Sequence, residues 1–153
     1  MGRKLLINSI YGRRKQERSF LQTHKIRTFM KIIPVFTVQN MKRAVAFYTE
    51  ILDFECWGTW PEDTDPAYGV LFRDGAELHL SSYQGGGFQS GCAYAAVNDV
   101  DALFRLFLSR GLDTSAKPDS PVHQGPVDQT WGNREFYVDD PDGNRLCFGR
   151  RAS

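Results

Sequence analysis

Glu77 and His79 stand two residues apart in the run Glu77-Leu-His-Leu-Ser81. In a strand that spacing puts both side chains on one face, together with Ser81. Cys92 and Cys147 are thiols that strand pairing could bring to the same place. Cysteine, histidine and glutamate together make a zinc-type donor set. The plainer reading is that the cysteines are small buried apolar residues, that His79 is a core histidine bonded to a neighbour, and that Glu77 meets a cationic ligand or Arg145. A second group of residues offers stacking. Trp57, Trp60 and Trp131 fall near strand ends or loops, and Tyr68 opens a strand. Planar side chains in such places stack on heteroaromatic or cationic groups. Glu62, Asp63 and Asp65 lie beside Trp60 and would supply negative charge for a cation. The structural alternative packs Trp57 into the core and uses Trp131 to anchor its loop. His123 reads as a solvent-exposed loop residue. Asp139, Asp140 and Asp142 are interrupted by Pro141 and Gly143, which marks them as turn chemistry. No Ser-His-Asp order, phosphate loop or paired-carboxylate spacing stands out.

The elements that must position these residues follow from periodicity. Residues 32–38 read as a strand. Asn40 can cap a helix whose apolar face is Met41, Ala44, Val45, Phe47, Tyr48, Ile51 and Leu52. An extended segment from Asp53 carries Trp57 and Trp60. Tyr68–Arg73 and Glu77–Tyr83 are strands joined by the hairpin turn Asp74-Gly75. This is a βαβββ unit. After the joint Gly85-Gly86-Gly87 the pattern restarts: a strand at 91–97, a helix capped by Asp99 and ended by Gly111, and a short strand at 112–116. A long loop over 117–132 follows, then strands at 134–138 and 145–149. The fold class is α+β, with two βαβββ modules (about 31–84 and 90–149) forming a concave mixed sheet around a cavity. One face of the proposed strands is uniformly apolar: Phe36, Val38, Leu78, Leu80, Leu146 and Phe148. The opposite face, with Val35, Glu77, His79, Cys92, Tyr94, Arg145 and Cys147, is mixed, as the lining of a wet cavity should be.

Composition sets the surroundings. The 153 residues are 41% apolar and 13% aromatic, enough for one domain's core. No run approaches the roughly 18 apolar residues of a membrane span, so no membrane partner is expected. Three scattered cysteines suit a reducing, cytoplasmic location better than a disulfide scaffold. The overall charge of +1 hides a division. Residues 1–29 hold eight Lys/Arg and one acid, a net +7; the remainder hold eleven bases and seventeen acids, a net −6. A negative body repels phosphates, so the folded domain, residues 30–150, is not expected to bind nucleic acid. The basic extension 1–29 reads as a disordered tail or the product of an upstream start; a transit peptide or a basic arm are the other readings.

Five segments together carry a family resemblance: Pro34-Val-Phe-Thr-Val38, Ala44-Val-Ala-Phe-Tyr48, Leu52-Asp-Phe54, Gln129-Thr-Trp-Gly-Asn-Arg-Glu-Phe136 and Asp140-Pro-Asp-Gly-Asn144. The chain resembles the glyoxalase/bleomycin-resistance/dioxygenase group, the vicinal oxygen chelate superfamily, over residues 31–149. The Trp131 segment looks most like the bleomycin-resistance proteins, which bind a drug and do no chemistry. The resemblance implies a homodimer with ligand crevices at its interface. It also implies that metal-dependent relatives would place their ligands at Ile33, Glu77, Cys92 and Cys147. Only Glu77 is of the expected type, so no metal and no cofactor is expected, and no catalytic residue is assigned. The function implied is sequestration of a planar, cationic glycopeptide antibiotic such as bleomycin; the strand faces and loop aromatics read above offer Trp60, Tyr68, His79, Trp131 and Glu77 as its ligand-binding residues. The competing reading is a glyoxalase- or dioxygenase-like metal-dependent enzyme with an atypical site.

Overall fold

In the computed structural model, residues 30–151 are described, apart from Gln84, Gly86, Phe88 and residues 116–118. The expectation for residues 1–29 falls outside that range. The first module runs β1 (Val35–Thr37), α1 (Met41–Ala46), β2 (Glu55–Trp60), β3 (Tyr68–Arg73) and β4 (Ala76–Ser81). The second runs β5 (Cys92–Ala96), α2 (Val100–Ser109), β6 (Val127–Asp128), β7 (Asn133–Asp139) and β8 (Arg145–Arg151). Each module makes a four-stranded mixed sheet, ordered β1-β4-β3-β2 and β5-β8-β7-β6. In each, the first strand lies parallel to the last and the other pairs are antiparallel. The architecture is the α+β pair of βαβββ modules. No described helix is long and apolar enough to cross a membrane.

The helices start where their caps allow. Asn40 accepts from the Arg43 backbone N–H and Asp99 from that of Ala102. α1 continues as a π-helical turn, Phe47–Ile51, that aims Tyr48 into the core. Its hydroxyl donates to Asp140 Oδ2 at 2.9 Å. Burial first, and then the Asp140 charge, push the Tyr48 pKa well up, so the phenol stays a donor.

The alternation inferred from sequence is realised. Phe36, Leu71, Leu78 and Leu80 of the first sheet and Phe136, Val138, Leu146 and Phe148 of the second meet in one core with Met41, Ala44, Val100 and Phe107. Phe107 packs edge-on to Phe136 and Phe148, at 6.0 and 5.3 Å between ring centres. Arg73 lays its guanidinium over the Phe107 ring at 5.3 Å, and Arg110 of the second module donates to the Thr49 and Glu50 carbonyls of the first, both at 2.9 Å. Both modules thus turn the same face, the apolar one, to a shared interior.

The expected strand at 112–116 is not formed by its described residues, 112–115. Gly111 takes φ +95° and Leu112 N–H returns to the Phe107 carbonyl, closing the helix end. Asp113 then accepts from both the backbone N–H and the hydroxyl of Ser115. Such local side-chain bonding competes with a strand ladder. The missing strand comes instead from the expected loop: β6 pairs Val127 with Glu135 and Asp128 with Arg134. His123 is no exposed bystander. Its Nε2 accepts from the Asp139 N–H at 3.1 Å, which leaves Nδ1 to donate to the Asp113 carbonyl at 2.6 Å.

Candidate functional site

With the apolar faces turned inward, the chemistry-bearing faces of both sheets turn away from the core. On the first sheet, strand register sets Trp60 opposite Tyr68 and Val70 opposite His79. Tyr68, Val70 and Phe72 therefore share the outer face with Glu77, His79 and Ser81. The Tyr68 hydroxyl lies 2.7 Å from His79 Nδ1, and His79 Nε2 lies 2.7 Å from Glu77 Oε1. A carboxylate only accepts, so in the neutral ring Nε2 carries the proton and Nδ1 accepts from Tyr68. His79 is thus oriented from both ends, and the phenol proton of Tyr68 points inward. Four of the five predicted binding residues, Trp60, Tyr68, His79 and Glu77, come together here.

Trp57, a stacking candidate in the sequence but not one of the five predicted binding residues, belongs to the same face. The register slips between Cys56 and Gly58, a bulge that re-aims Trp57 outward, where it is 73% exposed rather than packed in the core. Its ring lies 5.9 Å from Trp60 and 6.3 Å from Phe72. Trp60 in turn lies over Gly58, where an added Cβ would stand 2.9 Å from the indole.

The acids beside Trp60 are used differently from the sequence expectation. Asp65 accepts from the Met41 N–H at 3.1 and 3.2 Å and from the Ser82 hydroxyl at 2.6 Å, so it is spent on the start of α1. Glu62 and Asp63, with Asp65, Lys42 and Cys56, line a cavity of about 640 Å³ that includes none of the five predicted residues.

The fifth predicted residue, Trp131, lies in the turn between β6 and β7, at the end of the second sheet. Its indole N–H donates to Glu135 Oε1 at 3.2 Å. Glu135 also accepts from Asn133 Nδ2 at 2.9 Å and from the Tyr137 hydroxyl at 2.9 Å. Tyr94 crosses from β5 to join them, accepting from Asn133 Nδ2 at 3.2 Å and bonding Glu135. The sequence held a signal for this group: Asn133, Glu135 and Tyr137 alternate along one strand, as Glu77 and His79 do. Gly149, opposite Glu135, makes the crossing possible. A Cβ there would fall against the Tyr94 hydroxyl, 2.9 Å from its Cζ and 2.8 Å from Glu135 Cγ. Gly149→Ala is expected to push Tyr94 off the sheet and cost about 1–3 kcal/mol. Thermal unfolding and the Tyr94 ring signals in NMR check this; an unmoved ring and an unchanged melting temperature would refute it.

The residues at the metal positions implied by the family resemblance do not fit a catalytic cation. Ile33 has no donor atom. Glu77 is held by His79. Burial, and then the Glu135 charge, push the Cys147 thiol up to about 12, which opposes the thiolate a metal needs. Cys92 and Cys147 lie on the second sheet, Glu77 and His79 on the first. Among the described residues no group of three or more His, Cys, Asp and Glu is arranged to hold a metal ion. Arg145 pairs with Asp139 at 2.7 and 3.0 Å.

The comparisons agree with this architecture. The family model described as the glyoxalase/bleomycin resistance protein/dioxygenase superfamily matches residues 31–148. Among solved structures, TioX from Micromonospora sp. ML1 is 21% identical with a TM-score of 0.64, over 80% of this chain and 99% of that one. A bleomycin-binding protein complexed with bleomycin is 20% identical with a TM-score of 0.61, over 80% and 99%. A glyoxalase-related enzyme from Clostridium phytofermentans is 20% identical with a TM-score of 0.61, over 84% and 99%. These identities speak for the fold alone. No curated protein matches the sequence significantly. Matched family model, module architecture and solved relatives agree: the chain belongs to the glyoxalase/bleomycin resistance protein/dioxygenase superfamily.

Proposed function

We propose that this protein binds and sequesters a planar, cationic small molecule of the bleomycin kind, as a cytoplasmic homodimer, without covalent chemistry. The observation that carries the reading is the outward placement of both aromatic faces. Trp57, Trp60 and Tyr68 on one sheet and Tyr94 and Trp131 on the other stand in front of a core that is already filled. Exposed tryptophan rings are costly to leave in water and mark a binding surface. A crevice walled by both faces needs two copies, each lending one sheet. The ligand then stacks on Trp60, Tyr68 and Trp131, with the His79–Glu77 pair beneath. The poor fit to a metal set supports binding over hydrolytic or oxygen chemistry.

The test is a tryptophan-fluorescence titration of the full chain with metal-free bleomycin, repeated with its copper complex. Saturable quenching near one drug per chain is expected, on a protein that sediments as a dimer. A flat titration on a folded dimer would remove bleomycin as the ligand.

A further inference from the structure

Glu135 is 3% exposed, and no cation among the described residues pairs with it. Its partners are neutral groups, from Asn133, Trp131, Tyr137, Tyr94 and the Cys147 thiol. Burial pushes its pKa up, but those hydrogen bonds outweigh it and hold the carboxyl below the usual glutamate range. The second sheet therefore keeps a negative charge beneath its outer face that forms no ion pair among the described residues.

The polarity of the surrounding hydrogen bonds narrows what can answer that charge. The indole N–H of Trp131, the amide of Asn133 and the hydroxyl of Tyr137 all donate inward to the carboxylate. Exposed on the same face are two aromatic rings, Trp131 at 63% and Tyr94 at 51%, and one cation, Arg151, which stands opposite Asn133 in the strand register. Beside that arginine, an incoming group meets aromatic rings set over a buried carboxylate. Both carboxylate oxygens are already occupied by donors, so a metal ion or a primary ammonium, which demands direct oxygen contacts, gains little here. A weakly hydrated cation needs no such contact and gains from ring faces and from the charge behind them.

We infer that the Trp131–Glu135–Tyr94 face is a cation subsite for an alkylated ammonium or a ring-nitrogen cation. This rests on the reading that the outer faces bind a small molecule, and it places the ligand's cationic end. The planar part stacks on Trp60, Tyr68 and Trp131, and the cationic end lies over the buried Glu135 carboxylate of the second sheet. The acids near Trp60 are not the charge partners.

The test compares two probes of equal shape, N-methylquinolinium and 1-methylnaphthalene, on the full chain and on Glu135→Gln. The amide substitution keeps Oε1 for Asn133 and Trp131 and removes the charge. The wild type is expected to bind the cation about tenfold tighter than the hydrocarbon, the size of a desolvated cation–π contact over a buried charge. In Glu135→Gln that ratio should fall close to one. A wild type that does not distinguish the probes, or a variant that keeps the preference, overturns the subsite. If Glu135→Gln does not fold, amide shifts in the wild type decide. Shifts caused by the cation at 131–137 and 147–149 support the subsite, and shifts confined to the first sheet overturn it. Charge preference without bleomycin binding would sink sequestration and leave this subsite standing; bleomycin binding without charge preference would do the reverse.

Discussion

Asn144→Ala is expected to lower the unfolding free energy by about 3–5 kcal/mol, because three hydrogen bonds converge on one buried side chain. Asn144 is fully buried. Its Oδ1 accepts from the Gly91 N–H at 2.8 Å, and its Nδ2 donates to the Thr37 carbonyl at 2.9 Å and to Asp140 Oδ2 at 2.8 Å. Thr37 ends β1 of the first module, whereas Gly91 leads into β5 of the second. The side chain therefore ties the modules together at the point where β8 begins. Alanine would leave a donor and two acceptors unmade, each costing about 1–3 kcal/mol when water cannot reach it. Partial access by water sets the lower end of the range. Asn144→Asp should be no better, since its second oxygen would face the Thr37 carbonyl and the Asp140 carboxylate, both acceptors. Urea unfolding followed by fluorescence measures both variants. A midpoint within error of the wild type would show that the modules are held by their shared apolar core alone.

Residues such as Asn144 mark the limit of what the sequence could disclose. The turn Asp140-Pro-Asp-Gly-Asn144 was legible as a turn because Pro and Gly dictate it locally. Its partner Thr37 lies 107 residues away, and nothing local points across that distance. Alternation was the strongest signal. It separated Leu78 and Leu80 from Glu77 and His79 correctly, because a half-buried strand must sort its side chains by period two. The same rule applied to Asn133, Glu135 and Tyr137 would have exposed the second polar group. Where alternation broke, the reading broke with it. The bulge at Cys56–Gly58 adds a residue and turns Trp57 outward, and a two-residue strand such as β6 is too short to carry a period at all.

On the proposed sequestration of bleomycin, Trp60→Ala and Trp131→Ala are each expected to weaken binding by about tenfold or more, since a stacked ring contributes roughly 1–3 kcal/mol. The informative result comes from combining them. Trp60 ends β2 of the first sheet and Trp131 lies in the β6–β7 turn of the second, and the outer faces of both sheets turn away from one core. If one copy's first sheet and its partner's second sheet wall each crevice, every site in either variant's homodimer lacks one ring. In a mixed dimer the damage is redistributed by the two-fold relation. One crevice pairs the two altered sheets and lacks both rings. The other pairs the two unaltered sheets and is whole. Co-refolding equal amounts of the variants should therefore restore wild-type affinity in about one quarter of the sites, from random pairing in a two-fold dimer. Titration of the mixture would then show a tight phase that neither variant has alone. A mixture that binds as the plain average of its components would mean that both rings serve a ligand within one chain, or that the copies do not pair through these faces.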